Sequence, residues 1–320
     1  MLYANPSQLD DSDYNMGFTA ATPLGTNTAV QGPTASHAPH ASAPLLASSP
    51  ELDPRPAAFG PLFLYKGALP DILFTTADNV SFYAHRQTLQ QASTNAFAGL
   101  LTGTGQSLNV LESSVVLSIA LHVVYALPCL HLSATLDTVE AAADALVKYG
   151  VPLQNFAAPN SALYHLVLVQ APYRPIDAYA LAAHYGLETL AVAISAHLLA
   201  YDLSTITDEL AAKMGSMYVK RLFDLHKLRH SALKNIAMRP PAMHRPNLAC
   251  GTGEQRQLTQ AWAFTAAQMA WNALPNPSTH MLQAAFERGG KDITCQECKV
   301  MLHRRIVEAM DEWSAVQRTI

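Results

Sequence analysis

Asp71-Ile72-Leu73-Phe74-Thr75-Thr76-Ala77-Asp78-Asn79-Val80-Ser81-Phe82-Tyr83-Ala84-His85 is the stretch on which the fold turns. Asp71 to Thr76 reads as a strand through its apolar and β-branched residues Ile72 to Thr76, Asp78-Asn79 supplies turn chemistry, and a second short strand follows at Val80 to Tyr83. This pattern predicts a hairpin. Phe82, His85, Leu89 and Ala92 then recur at three- and four-residue steps, which predicts a helix, followed by Phe97, Leu100 and Leu101 before Gly103-Thr104-Gly105 ends the run.

Before this stretch, residues 1–60 are rich in Ala, Ser, Thr, Pro and Gly and have no apolar period. Such a segment buries too little apolar area to offset its ordering entropy, so disorder is expected there. On the other side of the hairpin, Leu108 to Leu111 is expected as a further strand and Val115 to Ala126 as a buried helix stopping before Pro128. Asp137 as N-cap with Glu140 three residues on, and Gly150 as C-cap before Pro152, bracket another helix. The first unit is therefore set at 61–151.

Beyond it the signals are helical. Leu187, Leu190, Ala191, Ile194 and Leu198 trace one face, and Tyr218, Leu222, Leu225 and Leu228 another. A helical extension over 152–237, a linker over 238–258 around Arg239-Pro240-Pro241, and a C-terminal helical segment over 259–320 follow. In the last segment Leu302, Ile306, Met310 and Trp313 share a side. The fold class is α+β, a short sheet capped by helices and followed by a mostly α-helical extension.

Composition narrows the function. Half of the 320 residues are hydrophobic and only 14% are charged, against roughly a quarter in an average soluble domain. A net charge of −4 and a pI near 6.3 offer no global attraction to nucleic acid or anionic lipid. The charge-free stretches Ser113 to Leu136 and Tyr149 to Tyr173 are broken by His, Asn, Gln and Pro, which argues against membrane spans. Four cysteines without a secretory signal point to an intracellular protein of nucleus or cytoplasm.

Asp71, Phe74, Phe82, His85, Leu89, Ser93 and Phe97, in their spacing, resemble the opening of a BTB (POZ) domain, and Leu108 to Glu112 with Val115 to Tyr125 resemble its later elements, covering residues 69–151. Tyr179-x-Leu181-Ala182-x-x-Tyr185-Gly186-Leu187-Glu188, Tyr218-Val219-x-Arg221-Leu222-Phe223-x-Leu225-His226, Trp262, Trp271 and the Cys295-x-x-Cys298 pair are similar to the helical extension of a group of fungal BTB proteins. The resemblance implies a scaffold for homodimerisation and partner recruitment, without catalysis. Two alternatives stand beside it: a substrate adaptor for a cullin ubiquitin ligase, as some members of the family are, and a chromatin- or transcription-associated protein using the basic stretch 213–245. The adaptor's apolar-x-Glu motif is not met, since Leu101 to Asn109 contains no Glu.

Chemistry-bearing groups are few. His85 lacks a nucleophile nearby in sequence and is read as a packed, hydrogen-bonded imidazole. No Gly-x-Ser-x-Gly, phosphate loop or His-Glu-x-x-His is present. Lys213 to Arg245 holds eight Lys or Arg against the single acid Asp224, and this basic stretch is what a chromatin-associated protein would use. It reads either as a phosphate-binding surface or as a solvated helix face. Cys295 and Cys298 share a helical face if Asp292 caps a helix there. With Cys250 and either His244 or His303 they make a candidate zinc site, His303 being the choice within the final helix. Redox chemistry and plain packing are the other readings of these thiols.

Overall fold

The computed structural model describes residues 57–271 and 275–320. The low-complexity reading of the N-terminus therefore lies almost wholly outside the described residues. Within them the chain is mixed α+β and mostly helical, with ten α-helices and one three-stranded sheet.

Strand β1 (Ile72–Thr75) pairs antiparallel with β2 (Ser81–Ala84), Phe74 opposite Phe82, and parallel with β3 (Ser107–Asn109), Phe74 beside Leu108. Period-two alternation puts Ile72, Phe74, Phe82 and Ala84 on the buried face. Phe82 thus belongs to the strand, and the helical period begins only after it. The hairpin turn is built by side chains: Asn79 takes a left-handed φ of 61°, and the Thr76 hydroxyl donates to Asp78. Asp78 then reaches the start of the next helix, accepting from the Ser114 amide at 2.9 Å and the Ser114 hydroxyl at 2.6 Å. Those bonds hold the Asp78 carboxyl below its usual range.

Helix α1 (Arg86–Ala92) is short, and α2 (Ser114–Val124) is buried over nearly its whole circumference from Leu117 to Val124. Helix α3 (Leu136–Lys148) is capped by Thr135, whose hydroxyl accepts from the Thr138 amide, and not by Asp137. Asp137 sits in the first turn and pairs with Arg174 at 2.8 Å. At the other end Gly150 adopts φ +70°, with Val151 N–H bonding Leu146 C=O, a Schellman close.

Helices α4 (Ala162–Leu168), α5 (Pro175–His184) and α6 (Glu188–Ser195) pack on the same core, which runs without a break from Phe59 to Leu222. Residue 151 is therefore not a boundary between cores. Helix α7 (Asp208–Ala237), interrupted at Gly215 by a non-helical φ, contributes Met214, Tyr218 and Leu222 to this core. Its C-terminal end contributes Leu233, Ile236 and Ala237 to a second one.

That second core is completed by α8 (Thr252–Trp271), α9 (Thr279–Gly289) and α10 (Gln296–Ser314), around Trp262 stacked on Phe286 at 4.0 Å. The expected linker over 238–258 is irregular only to Gly251, because α8 begins at Thr252, and Pro241, His244 and Cys250 within it are buried. Leu228, expected on the apolar face of α7, is instead 46% exposed. Among the described residues no helix is long and apolar enough to cross a membrane.

Candidate metal centre

Two elements meet at the base of the second core. One is the irregular segment before α8, where Asn247 and Cys250 form an isolated antiparallel bridge and the Asn247 side chain accepts from the Cys250 amide at 2.8 Å. The other is the start of α10, where Cys295 is the extended residue just ahead of the helix and Cys298 lies in its first turn. His244, Cys250, Cys295 and Cys298 converge there, their ligand atoms all within 4.8 Å of one another.

The edges of this figure can be compared with an ion's demands. A tetrahedral zinc with Zn–S of about 2.3 Å and Zn–N of about 2.0–2.1 Å sets two sulfurs about 3.8 Å apart and a sulfur and a nitrogen about 3.5 Å apart. Cys250 Sγ and Cys298 Sγ are 3.8 Å apart, and Cys295 Sγ and His244 Nε2 are 3.5 Å apart. These are opposite edges sharing no atom, so both match independently.

The imidazole is oriented for ligation. His244 Nδ1 faces the Arg245 carbonyl at 2.8 Å and a Glu297 carboxylate oxygen at 3.0 Å, which places the proton there and leaves the Nε2 lone pair toward the sulfurs. The other Glu297 oxygen accepts from Asn247 Nδ2 at 3.0 Å, so the residue between the two helix cysteines clamps the irregular segment to α10.

The thiols are unequal. The Cys298 backbone N–H holds Cys295 down to about 7, whereas burial pushes Cys298 up to about 12 and raises Cys250. A bound cation would deprotonate all of them, since a coordinating thiol is a thiolate. The four residues can hold a metal ion, and four protein ligands leave no open position for substrate.

His303 is not among them. It is exposed, and five residues beyond Cys298 on one helix its side chain points about 140° away, a consequence of 3.6 residues per turn that the sequence already contained. Asp292 does not cap α10, since Cys295 occupies the N-cap position. Cys129 is buried in the first core, away from the cluster.

The residues singled out around the hairpin have structural partners. Asp71 Oδ1 accepts from the Arg86 amide at 2.7 Å and so caps α1 from across the hairpin. His85 is buried, its Nδ1 3.0 Å from the Tyr125 hydroxyl and its Nε2 3.1 Å from the Ala68 carbonyl. Phe74, Phe82, Leu89 and Phe97 lie in the first core. Ser93 donates to the Tyr149 carbonyl at 2.6 Å and accepts from the Phe97 amide at 2.7 Å. It thereby braces a left-handed turn in which Ala96, Phe97 and Ala98 all have φ of 52–57°, and Phe97 stacks on Tyr149 at 4.1 Å.

The basic stretch is largely engaged within the fold. Lys213 pairs with Glu140, Lys220 with Asp224, Arg221 with Glu188 and Arg239 with Glu312, while Arg229 is buried. Its guanidinium lies 4.3 Å over Trp313 and donates to the carbonyls of Pro275, Val316 and Gln317. No protein-family model, no curated protein and no solved structure matches this chain.

Proposed function

We propose that this chain is a non-catalytic protein–protein interaction scaffold whose first core contains a BTB-like domain that pairs with a second copy of itself. The observation that carries this is the order of elements on the residues of the resemblance. An antiparallel hairpin, a short helix, a strand parallel to the first, and two further helices follow one another, with Phe74, Phe82, Leu89 and Phe97 in one core.

The surface supports the same reading. Ahead of β1, Phe63 and Tyr65 pack against the core while Leu62 and Leu64 face solvent at 81% and 62% exposure, and Leu69 follows at 60%. A strip of this kind is a candidate interface, since homodimer contacts are richer in apolar area than ordinary surface. On α8, Phe264 and Trp271 are also largely exposed, seven residues apart on one face, and offer a second apolar strip to a protein partner. The ion pairs that occupy the basic stretch speak against a phosphate-binding role for it.

The His/Cys cluster suits zinc. Three thiolates and an imidazole are a soft donor set, and the two matched edges suit a tetrahedral ion.

Light scattering on the full chain tests the pairing. A mass twice the 34.5 kDa of one chain is expected, falling to 34.5 kDa when Leu62, Leu64 and Leu69 are all changed to Ser. A wild-type chain that stays at 34.5 kDa up to its solubility limit rules out self-association.

A further inference from the structure

We infer that the metal site is the folding determinant of the second core alone, so that one chain carries a metal-dependent and a metal-independent core. This rests on the zinc assignment above. All four ligands lie beyond α7, and none belongs to an element of the first core. Two come from the segment before α8 and two from the start of α10, so α8 and α9 lie in whole between Cys250 and Cys295. An ion there joins the entrance of α8 to the entrance of α10 and closes α8 and α9 into a loop.

In an unfolded chain the ligands are dispersed, so metal affinity for the assembled site is folding free energy. The site is also part of the packing, because Cys250 and Cys298 are themselves buried members of the second core. The segment carrying His244 and Cys250 has little regular structure of its own. It is tied down by polar contacts, Glu297 to His244 and Asn247, and Arg305 to the Arg239 carbonyl. With the ion removed, those contacts and the burial of His244, Cys250 and Cys298 are what remains to keep a histidine and three thiols converged.

The limit of the effect is also fixed by the fold. Helix α7 serves the first core through Leu222 and the second from Leu233, so the metal-dependent part should begin between these residues, in mid-helix.

Hydrogen–deuterium exchange of the full chain, read by mass spectrometry, tests this. The zinc-loaded chain is compared with the same chain after EDTA, and with the EDTA-treated chain after zinc is returned. Amides of α8, α9, α10 and the end of α7 are expected to exchange about 100-fold faster without zinc, and to recover with it. Amides of α2, α3 and α5 should not change. A chain that takes up no zinc by native mass spectrometry overturns the zinc assignment itself. Zinc uptake with unchanged exchange in α8–α10 after its removal overturns the coupling alone. Loss of protection across both cores overturns its confinement to the second.

Discussion

Replacing Arg229 with Met tests how the chain's end is held. The substitution keeps much of the stem's volume and removes the guanidinium. In the native chain that group is buried and donates to Pro275 at 2.6 Å, Val316 at 3.0 Å and Gln317 at 2.8 Å, over the Trp313 ring. Burial pulls its pKa below the ordinary arginine value, as expected of a cation neutralised by carbonyl dipoles and not by a carboxylate. Hydrogen bonds from a charged donor contribute about 1.5–3 kcal/mol each, and a desolvated cation over an aromatic ring about 2 kcal/mol. Met relieves the cation's burial penalty of several kcal/mol but leaves carbonyls without a donor. The balance is a loss of about 3 kcal/mol, or about 4–6 °C in Tm for a chain of this size. Thermal unfolding followed by tryptophan fluorescence is suited to the measurement, since Trp262 and Trp313 are buried in the second core. Arg229→Lys keeps the charge without the fork and should fall between. A loss under about 1 kcal/mol for the Met variant would refute this accounting.

Leu89→Ala, at a fully buried position in the first core, should cost about 2–5 kcal/mol in urea unfolding; a neutral result would remove α1 from the core. Gly150→Ala should be worse than a helix-cap change alone. The φ of +70° is unfavourable for alanine, and an added Cβ would lie 2.5 Å from the Asn95 side chain and 2.9 Å from its amide, so a Tm within error of wild type would contradict the docking of residues 93–95 on α3. Glu188 is held below the usual carboxylate range chiefly by the Arg221 side chain. Its stabilisation is present above the unfolded value of about 4.3 and is lost as pH falls through the lower folded value. Arg221→Gln should therefore move the acid-unfolding midpoint upward, by a small amount because the carboxylate is half exposed, and an unmoved midpoint at low salt would refute the linkage.

What the sequence revealed follows from how locally each feature is encoded. The hairpin was legible because Ile72, Phe74, Phe82 and Ala84 bury at period two around Asp78-Asn79, and α10 because Leu302, Ile306 and Trp313 bury at helical steps. The cap of α3 was misassigned because Thr135 and Asp137 are both good cap residues, and only the bond to the Thr138 amide decides between them. Leu228 is expected on the apolar face, and Arg229, within the basic stretch, on a binding or solvated one; both differ in the structure for a common reason. Long α7 passes from one core to the other, so its buried side changes along its length and one periodic stripe does not describe it. Three of the candidate ligands are visible as cysteines. The fourth was ambiguous because His244 comes from a non-periodic segment whose position depends on the contacts of His244 and Asn247 with Glu297, 50 or more residues away in sequence.

X-ray absorption at the zinc edge, on the chain purified with zinc and without an affinity tag, tests the centre most directly. Three sulfurs at about 2.3 Å and one imidazole nitrogen at about 2.0–2.1 Å are expected, with no bound water. A shell of nitrogen and oxygen donors, or fewer than three sulfurs per zinc, would contradict it.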